Sequence, residues 1–149
     1  SAAGLTLHPD KTRVVNASQP GGFDFLGYHF ERGMKWPRAK SLKKVRVRVS
    51  EQTARTDGRS FKAIVSGVNR TLRGWYGYFQ HSKANTVTSV DGYVRRRLRS
   101  LLQWRLDGRG KGLGATHQRW PNAWFARRGL LSLKAEHEWT RTIVRLRTH

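Results

Sequence analysis

Between Ser60 and Gln80 the apolar residues fall at Phe61, Ile64, Val65, Val68, Leu72, Trp75 or Tyr76, and Phe79. That is the i, i+3, i+4, i+7 stripe of an amphipathic helix, sustained through about five turns. A helix of that length with one apolar face has to be buried against other elements, so the rest of the chain is read around it. Ser60 is placed to cap its start, its hydroxyl accepting from a free amide of the first turn. The second half, LRGWYGYF, carries Gly74 and Gly77. Each glycine weakens a helix by about 1 kcal/mol relative to alanine. The pair therefore predicts a flat side, used either for close packing of another helix or for approach of a nucleic-acid backbone.

The charge of the chain bears on that choice. Thirty Lys and Arg oppose nine Asp and Glu, a net charge of +21 in 149 residues. A folded chain with this charge repels itself unless a polyanion neutralises it, which points to nucleic acid first and an anionic membrane surface second. No apolar run approaches the roughly 20 residues that span a bilayer, and no signal-peptide pattern opens the sequence, so the membrane reading is set aside. Hydrophobic residues at 37%, with six Trp, four Tyr and six Phe, argue for a packed core and against disorder. There is no cysteine, which excludes disulfides and thiolate metal sites and fits a reducing compartment. The only methionine is Met34, so a chain opening Ser-Ala-Ala is expected to be a fragment.

Residues 1–40 read as short strands. Leu5–Leu7 and Thr12–Val15 are β-type runs on either side of the turn-like His8-Pro9-Asp10-Lys11, and Pro20-Gly21-Gly22 breaks the chain. Phe23 to Phe30 alternates aromatic and polar positions as one strand. Glu31-Arg32-Gly33 turns it back on Met34 to Trp36, and Pro37 closes the segment. So few strands do not stand alone, and they are expected to be the edge of a larger sheet. From Ser41 to Thr53, Val45, Val47 and Val49 alternate with basic residues like a strand. Leu42, Val45 and Val49 equally fit a helix capped by Ser41, and periodicity leaves both open. Either geometry gathers Lys43, Lys44, Arg46 and Arg48.

A third segment, Thr86 to Leu106, has Val90, Val94, Leu98, Leu101 and Leu102 on one helical face. Arg95, Arg96 and Arg99 are expected to project from the other side in a row of phosphate contacts, with Arg97 near the boundary. Asp107 to His117 alternates glycines with Arg109 and Lys111, but lacks the spacing of a phosphate-binding loop and reads as a mobile basic loop. Trp120, Trp124 and Phe125 follow, then Arg127 and Arg128. Ser132 is placed to cap a last helix running toward Arg147, with Trp139, Ile143 and Val144 as its apolar side.

The nine carboxylates are scattered, and although an approach of Asp10 to Asp24 across the small sheet is left open, neither lies in a metal-pair motif. The six histidines lack ligand spacing, and no serine or histidine lies in a nucleophile setting. The residues alone predict a binder: a mostly helical basic module for structured RNA or an RNA–DNA duplex, joined to a strip of sheet.

Several stretches together carry a resemblance. GLTLHPDKTRVV at Gly4 to Val15 and GFDFLGYHF at Gly22 to Phe30 resemble the end of the palm of group II intron reverse transcriptases. LRGWYGYF at Leu72 to Phe79, VRRRLRSLL at Val94 to Leu102 and WFARRGLLSL at Trp124 to Leu133 resemble that family's maturase region, also called domain X or the thumb. The resemblance implies an α+β, mostly α architecture: residues 1–40 as the palm end, residues 41–149 as a thumb bundle of about three helices, with residues 41–53 helical. It implies a parent enzyme that copies intron RNA into DNA with Mg2+ and assists splicing and mobility in the cytoplasm, bound to its ribonucleoprotein. The family's Y-x-D-D motif would precede Ser1, so the chain alone is expected to be inactive, and with no cysteine it is expected to lack the endonuclease domain of some relatives. Implied partners are intron RNA, the template–primer duplex and the remaining palm and fingers.

By the same resemblance Lys11 matches a lysine near the polymerase site, and Phe25, Leu26, Gly27 and Tyr28 match a hairpin that steadies the primer terminus. The expected RNA-binding set is completed by Arg73, Trp75 and Tyr76. Two alternatives stand beside this reading. One is the same thumb in another system, such as a CRISPR-associated reverse transcriptase. The other is a ribosomal-type basic protein, whose charge suits but whose six tryptophans and motif order do not.

Overall fold

The computed structural model describes residues 23–25, 28–31, 34–108 and 115–147. Three short strands, β1 (Phe23–Phe25), β2 (Tyr28–Glu31) and β3 (Met34–Pro37), form an antiparallel sheet in the order β1-β2-β3. Phe23 pairs with Phe30 and Phe25 with Tyr28, while Glu31 pairs with Met34. The expected β2–β3 hairpin is present. The expected single strand from Phe23 to Phe30 is instead two strands facing each other, because period-two alternation looks the same on both arms of a hairpin and does not say where the chain reverses. The early runs Leu5–Leu7 and Thr12–Val15, with the His8–Lys11 turn, lie outside the described residues.

Among the described residues six helices follow: α1 (Ala39–Gln52), α2 (Phe61–Phe79), α3 (Ala84–Asp107), α4 (Ala115–Arg119), α5 (Asn122–Arg127) and α6 (Leu133–Arg147). The fold is mostly helical with a small β element. Residues 41–52 are helical, as the resemblance implied for 41–53, and Thr53 follows the helix as its C-cap: Val45 and Val49, one turn apart, are buried while Val47 is 47% exposed. One exposed valine had produced the strand-like alternation. The helix begins after Arg38, a turn earlier than a Ser41 cap would give.

Ser60 caps α2 by accepting from the Ala63 amide at 3.1 Å. The stripe predicted for α2 faces inward: Ile64, Val68, Leu72 and Tyr76 meet Val45 and Val49 of α1 and Val87, Val90, Val94, Leu98 and Leu101 of α3. Trp120, Phe125 and Leu133 complete this core. Gln52 fastens α1 to α2, donating to the Gly67 carbonyl and accepting from the Thr71 hydroxyl. Tyr28 fastens the sheet to α2: its ring packs edge-on against Phe79 at 5.0 Å and its hydroxyl donates to the Tyr78 carbonyl at 2.6 Å.

The C-terminal part is held by buried polar side chains. Asn69 of α2 donates to the Gly129 carbonyl and accepts from the Leu131 amide, pinning a turn where Gly129 has φ of +86° and so suits glycine alone. Asp91, buried in the middle of α3, accepts from the Leu133 and Lys134 amides at 2.9 Å each, capping α6 together with Ser132, which accepts from Ala135. Burial pushes the Asp91 carboxyl up, with these amides, Arg95 and Ser132 pulling the other way. His137 donates from Nε2 to the Ser82 carbonyl at 2.7 Å. The inward side of α6 is therefore Leu133, His137 and Thr140, and of the predicted apolar side only Ile143 is half-buried: Trp139 is 63% exposed and Val144 half exposed. The reversal has a long-range cause, since the cap from Asp91 of α3 fixes the rotation of α6 about its axis.

Candidate nucleic-acid interface

Helix α1 displays Lys40, Lys43, Lys44 and Arg48 on its exposed side, with Arg48 3.6 Å from Glu51. Arg46 departs from this group. It is half-buried, donates to the Ser89 hydroxyl of α3 at 3.1 Å and lies over the Tyr93 ring. Helix α2 exposes Lys62, Ser66, Arg70, Arg73, Gly74 and Gly77 along its outer side. A Cβ added at Gly74 or Gly77 would meet nothing within 4 Å. Close packing of another helix on these glycines is thus not found among the described residues, and their flat side is open. Between the two helices, Lys44, Thr71, Trp75 and Tyr78 line a groove of about 290 Å3. Trp75 is half-buried there, packed on Phe79, with its indole N–H enclosed and without a hydrogen-bond partner.

The run of arginines on α3 divides by role. Arg96 is exposed over Tyr93, and Arg95 is half-buried. Arg97 turns inward to the end of α1, donating to the Thr53 hydroxyl and to the Ser50 and Thr53 carbonyls, so it serves as a cation on the free C-terminal carbonyls of that helix. Arg99 does not reach solvent as expected: it is 3% exposed, donates to the Trp120 carbonyl and the Asn122 side chain at 2.8 Å each, and lies over Phe125. Tyr76 likewise leaves the expected RNA-contacting set, being buried with its hydroxyl bonded to Thr140 at 2.9 Å. Helical rotation explains both: Arg99 follows Leu98 toward the α4–α5 side, and Tyr76 follows Leu72 by one turn into the core.

Arg127 and Arg128 are exposed, with Arg128 stacked 3.9 Å from the Trp124 ring centre. In the sheet, Phe25 pairs in register with Tyr28. Tyr28 is buried and joined to α2, and burial raises its hydroxyl pKa, so its contacts are those of a fastening. Lys11, Leu26, Gly27, Arg109 and Lys111 lie outside the described residues. Sequence reasoning missed Lys40 and Arg70. Both were legible in principle, as basic residues one turn from Lys44 and from Arg73 or Gly74 on helices whose apolar faces were already assigned. Among the described residues no group of His, Asp or Glu is arranged to hold a metal ion, and no helix is long and apolar enough to cross a membrane.

Residues 42–120 match the family described as group II intron, maturase-specific domain, which is more than half of the chain. The chain belongs to the group II intron maturase family. No curated protein matches it significantly. The maturase-specific segment starts on α1 and ends at Trp120 after α4. It takes in most of the basic side of α1, the open glycine face of α2 and all five arginines of α3, while the sheet, α5 and α6 lie outside it. Maturase domains of this family are associated with intron splicing.

Proposed function

We propose that this maturase chain is the RNA-binding thumb of a group II intron reverse transcriptase, taking intron RNA and the template–primer duplex on the outer side of α1 and α2. The observation that carries the proposal is the open face at Gly74 and Gly77 beside Arg70 and Arg73, with Lys40, Lys43, Lys44 and Arg48 on the neighbouring helix. Glycines inside a helix lower its stability, so two of them on a face that packs against nothing are accounted for by a ligand whose backbone comes close. Flanking guanidinium groups neutralise phosphates on either side of that approach. On this reading the sheet belongs to the end of the palm and the helices to the thumb. Polymerisation, with its Mg2+, belongs to the acidic motif of the parent enzyme, where Lys11 and the Phe25–Tyr28 hairpin would stand near the primer. Splicing and mobility both follow from holding intron RNA.

The test is a chain with Gly74→Leu and Gly77→Leu, titrated with an RNA–DNA hairpin. Leucine is a far better helix former than glycine and meets open space here, so the thermal midpoint rises, by about 0.5–1 kcal/mol of stability per site. Affinity for the hairpin falls about tenfold or more, because the flat side is filled. Unchanged affinity in the stabilised protein removes α2 from the interface.

A further inference from the structure

Beyond Phe79 the chain crosses from α2 to α3 through a turn that borders an open cleft of about 910 Å3. Lys35 of β3, Lys83 at the head of α3, and Arg141 and Arg145 of α6 all line it, and among the described residues no Asp or Glu does. The first residues of α3, Ala84 and Asn85, also face the cleft. Lys83 provides no side-chain cap there and the first turn holds no acidic residue, so the free amides of a 24-residue helix are left to an outside acceptor.

Ser82 is a second and independent sign. It is 3% exposed, and its hydroxyl is buried in the cleft lining with no hydrogen-bond partner. Its carbonyl is held by His137, so the backbone is fixed while the hydroxyl is left over. The neighbouring Tyr28 hydroxyl gives its proton to the Tyr78 carbonyl, and the Ser82 side chain stands near its oxygen without closing a hydrogen bond to it. Buried hydroxyls normally find partners, and one without a partner beside four cations and a helix N-terminus is poised for an anion.

We infer that this cleft is a second nucleic-acid site, one that grips the phosphates of a single RNA strand between Lys83, the α3 amides and Arg141. The inference rests on RNA being the ligand of the chain. It differs from the duplex face in position and in the form of nucleic acid bound. The volume lies near the top of the roughly 300–1,000 Å3 range of ligand sites, enough for a stretch of strand and more than one ion needs. The phosphate gripped belongs either to a 5′ end or to an internal phosphodiester.

The experiment measures fluorescence anisotropy of an octauridylate, with a 5′-hydroxyl or a 5′-phosphate, against the full chain and two charge-matched double variants. Lys83→Gln with Arg141→Gln alters the cleft, and Arg70→Gln with Arg73→Gln alters the α2 face. All four side chains are exposed, and the thermal midpoint checks that each variant is folded. The cleft variant is expected to bind octauridylate about tenfold more weakly and to lose about 1.4 from the salt slope, two contacts at roughly 0.7 each. The α2 variant keeps most of its octauridylate affinity and loses affinity for the RNA–DNA hairpin instead. Equal loss for the two oligomers assigns an internal phosphodiester, and a larger loss for the 5′-phosphate form assigns the end. Ser82→Ala, which removes the hydroxyl without charge, weakens the same probe by a smaller factor. Equal losses in both double variants overturn the site, because only net charge would then matter. A chain that binds the hairpin but not octauridylate overturns the cleft and leaves the duplex face standing, whereas one that binds neither overturns both.

Discussion

The Arg99 guanidinium is enclosed between Phe125 and the Trp120 carbonyl, and removing it strands that buried carbonyl and leaves the Asn122 side chain without its partner. Arg99→Ala is therefore expected to cost about 2–4 kcal/mol of stability, measured by denaturant unfolding, with the salt dependence of RNA binding unchanged. Arg96→Ala does the opposite: the fold is untouched and the slope for a duplex falls by about 0.9 if one phosphate contact is lost. Four arginines in five residues were legible as an anomaly of charge. Their separate roles were not, because roles depend on the α1 end and the α4–α5 segment that the helix meets, and neither is encoded within VRRRLRS. Asp57 is a simpler case at this scale. Its carboxyl is held down at about 2, first by the Arg59 side chain and then by the Arg59 amide. A carboxyl that is more acidic in the fold stabilises it above the unfolded value of 3.8 and loses that contribution as pH falls toward about 2. Asp57→Asn should flatten the fall of the thermal midpoint across that window, and an unchanged profile would show that the pair with Arg59 does not persist in solution.

Among the elements, α2 was read almost whole from the sequence: its cap, its stripe and the oddity of its glycines are local facts. What α2 packs against is not local, so the glycines left two readings open until the empty space over them was seen. Helix α6 was legible in extent and wrong in rotation. Its Trp139, Ile143 and Val144 are apolar at helical spacing, yet the orientation is imposed by Asp91, which lies 42 residues earlier in the chain. Asp91→Ala is expected to cost about 1–3 kcal/mol and to speed amide hydrogen exchange at Leu133 and Lys134 first. Exchange that stays protected there would mean that Ser132 alone caps the helix. Trp139→Ala should change stability by no more than about 0.5 kcal/mol, against the 3–5 kcal/mol of a tryptophan in a core.

For the molecule as a whole, +21 in 149 residues was the clearest statement in the sequence, and it names a polyanion without naming which. The fold adds distribution. Some of the positive charge is spent internally, on helix ends and carbonyls by Arg97, Arg99 and Arg105, and much of the rest is displayed on α1, the outer side of α2, the head of α3, and α5 and α6. A surface so organised has shape as well as charge, and shape is what separates recognition from a basic clamp. The direct measurement is binding of the chain to a structured group II intron RNA and to a tRNA, at low and near-physiological salt. A preference for the intron that persists at the higher salt is the predicted result. Equal affinities that collapse together as salt rises would contradict it.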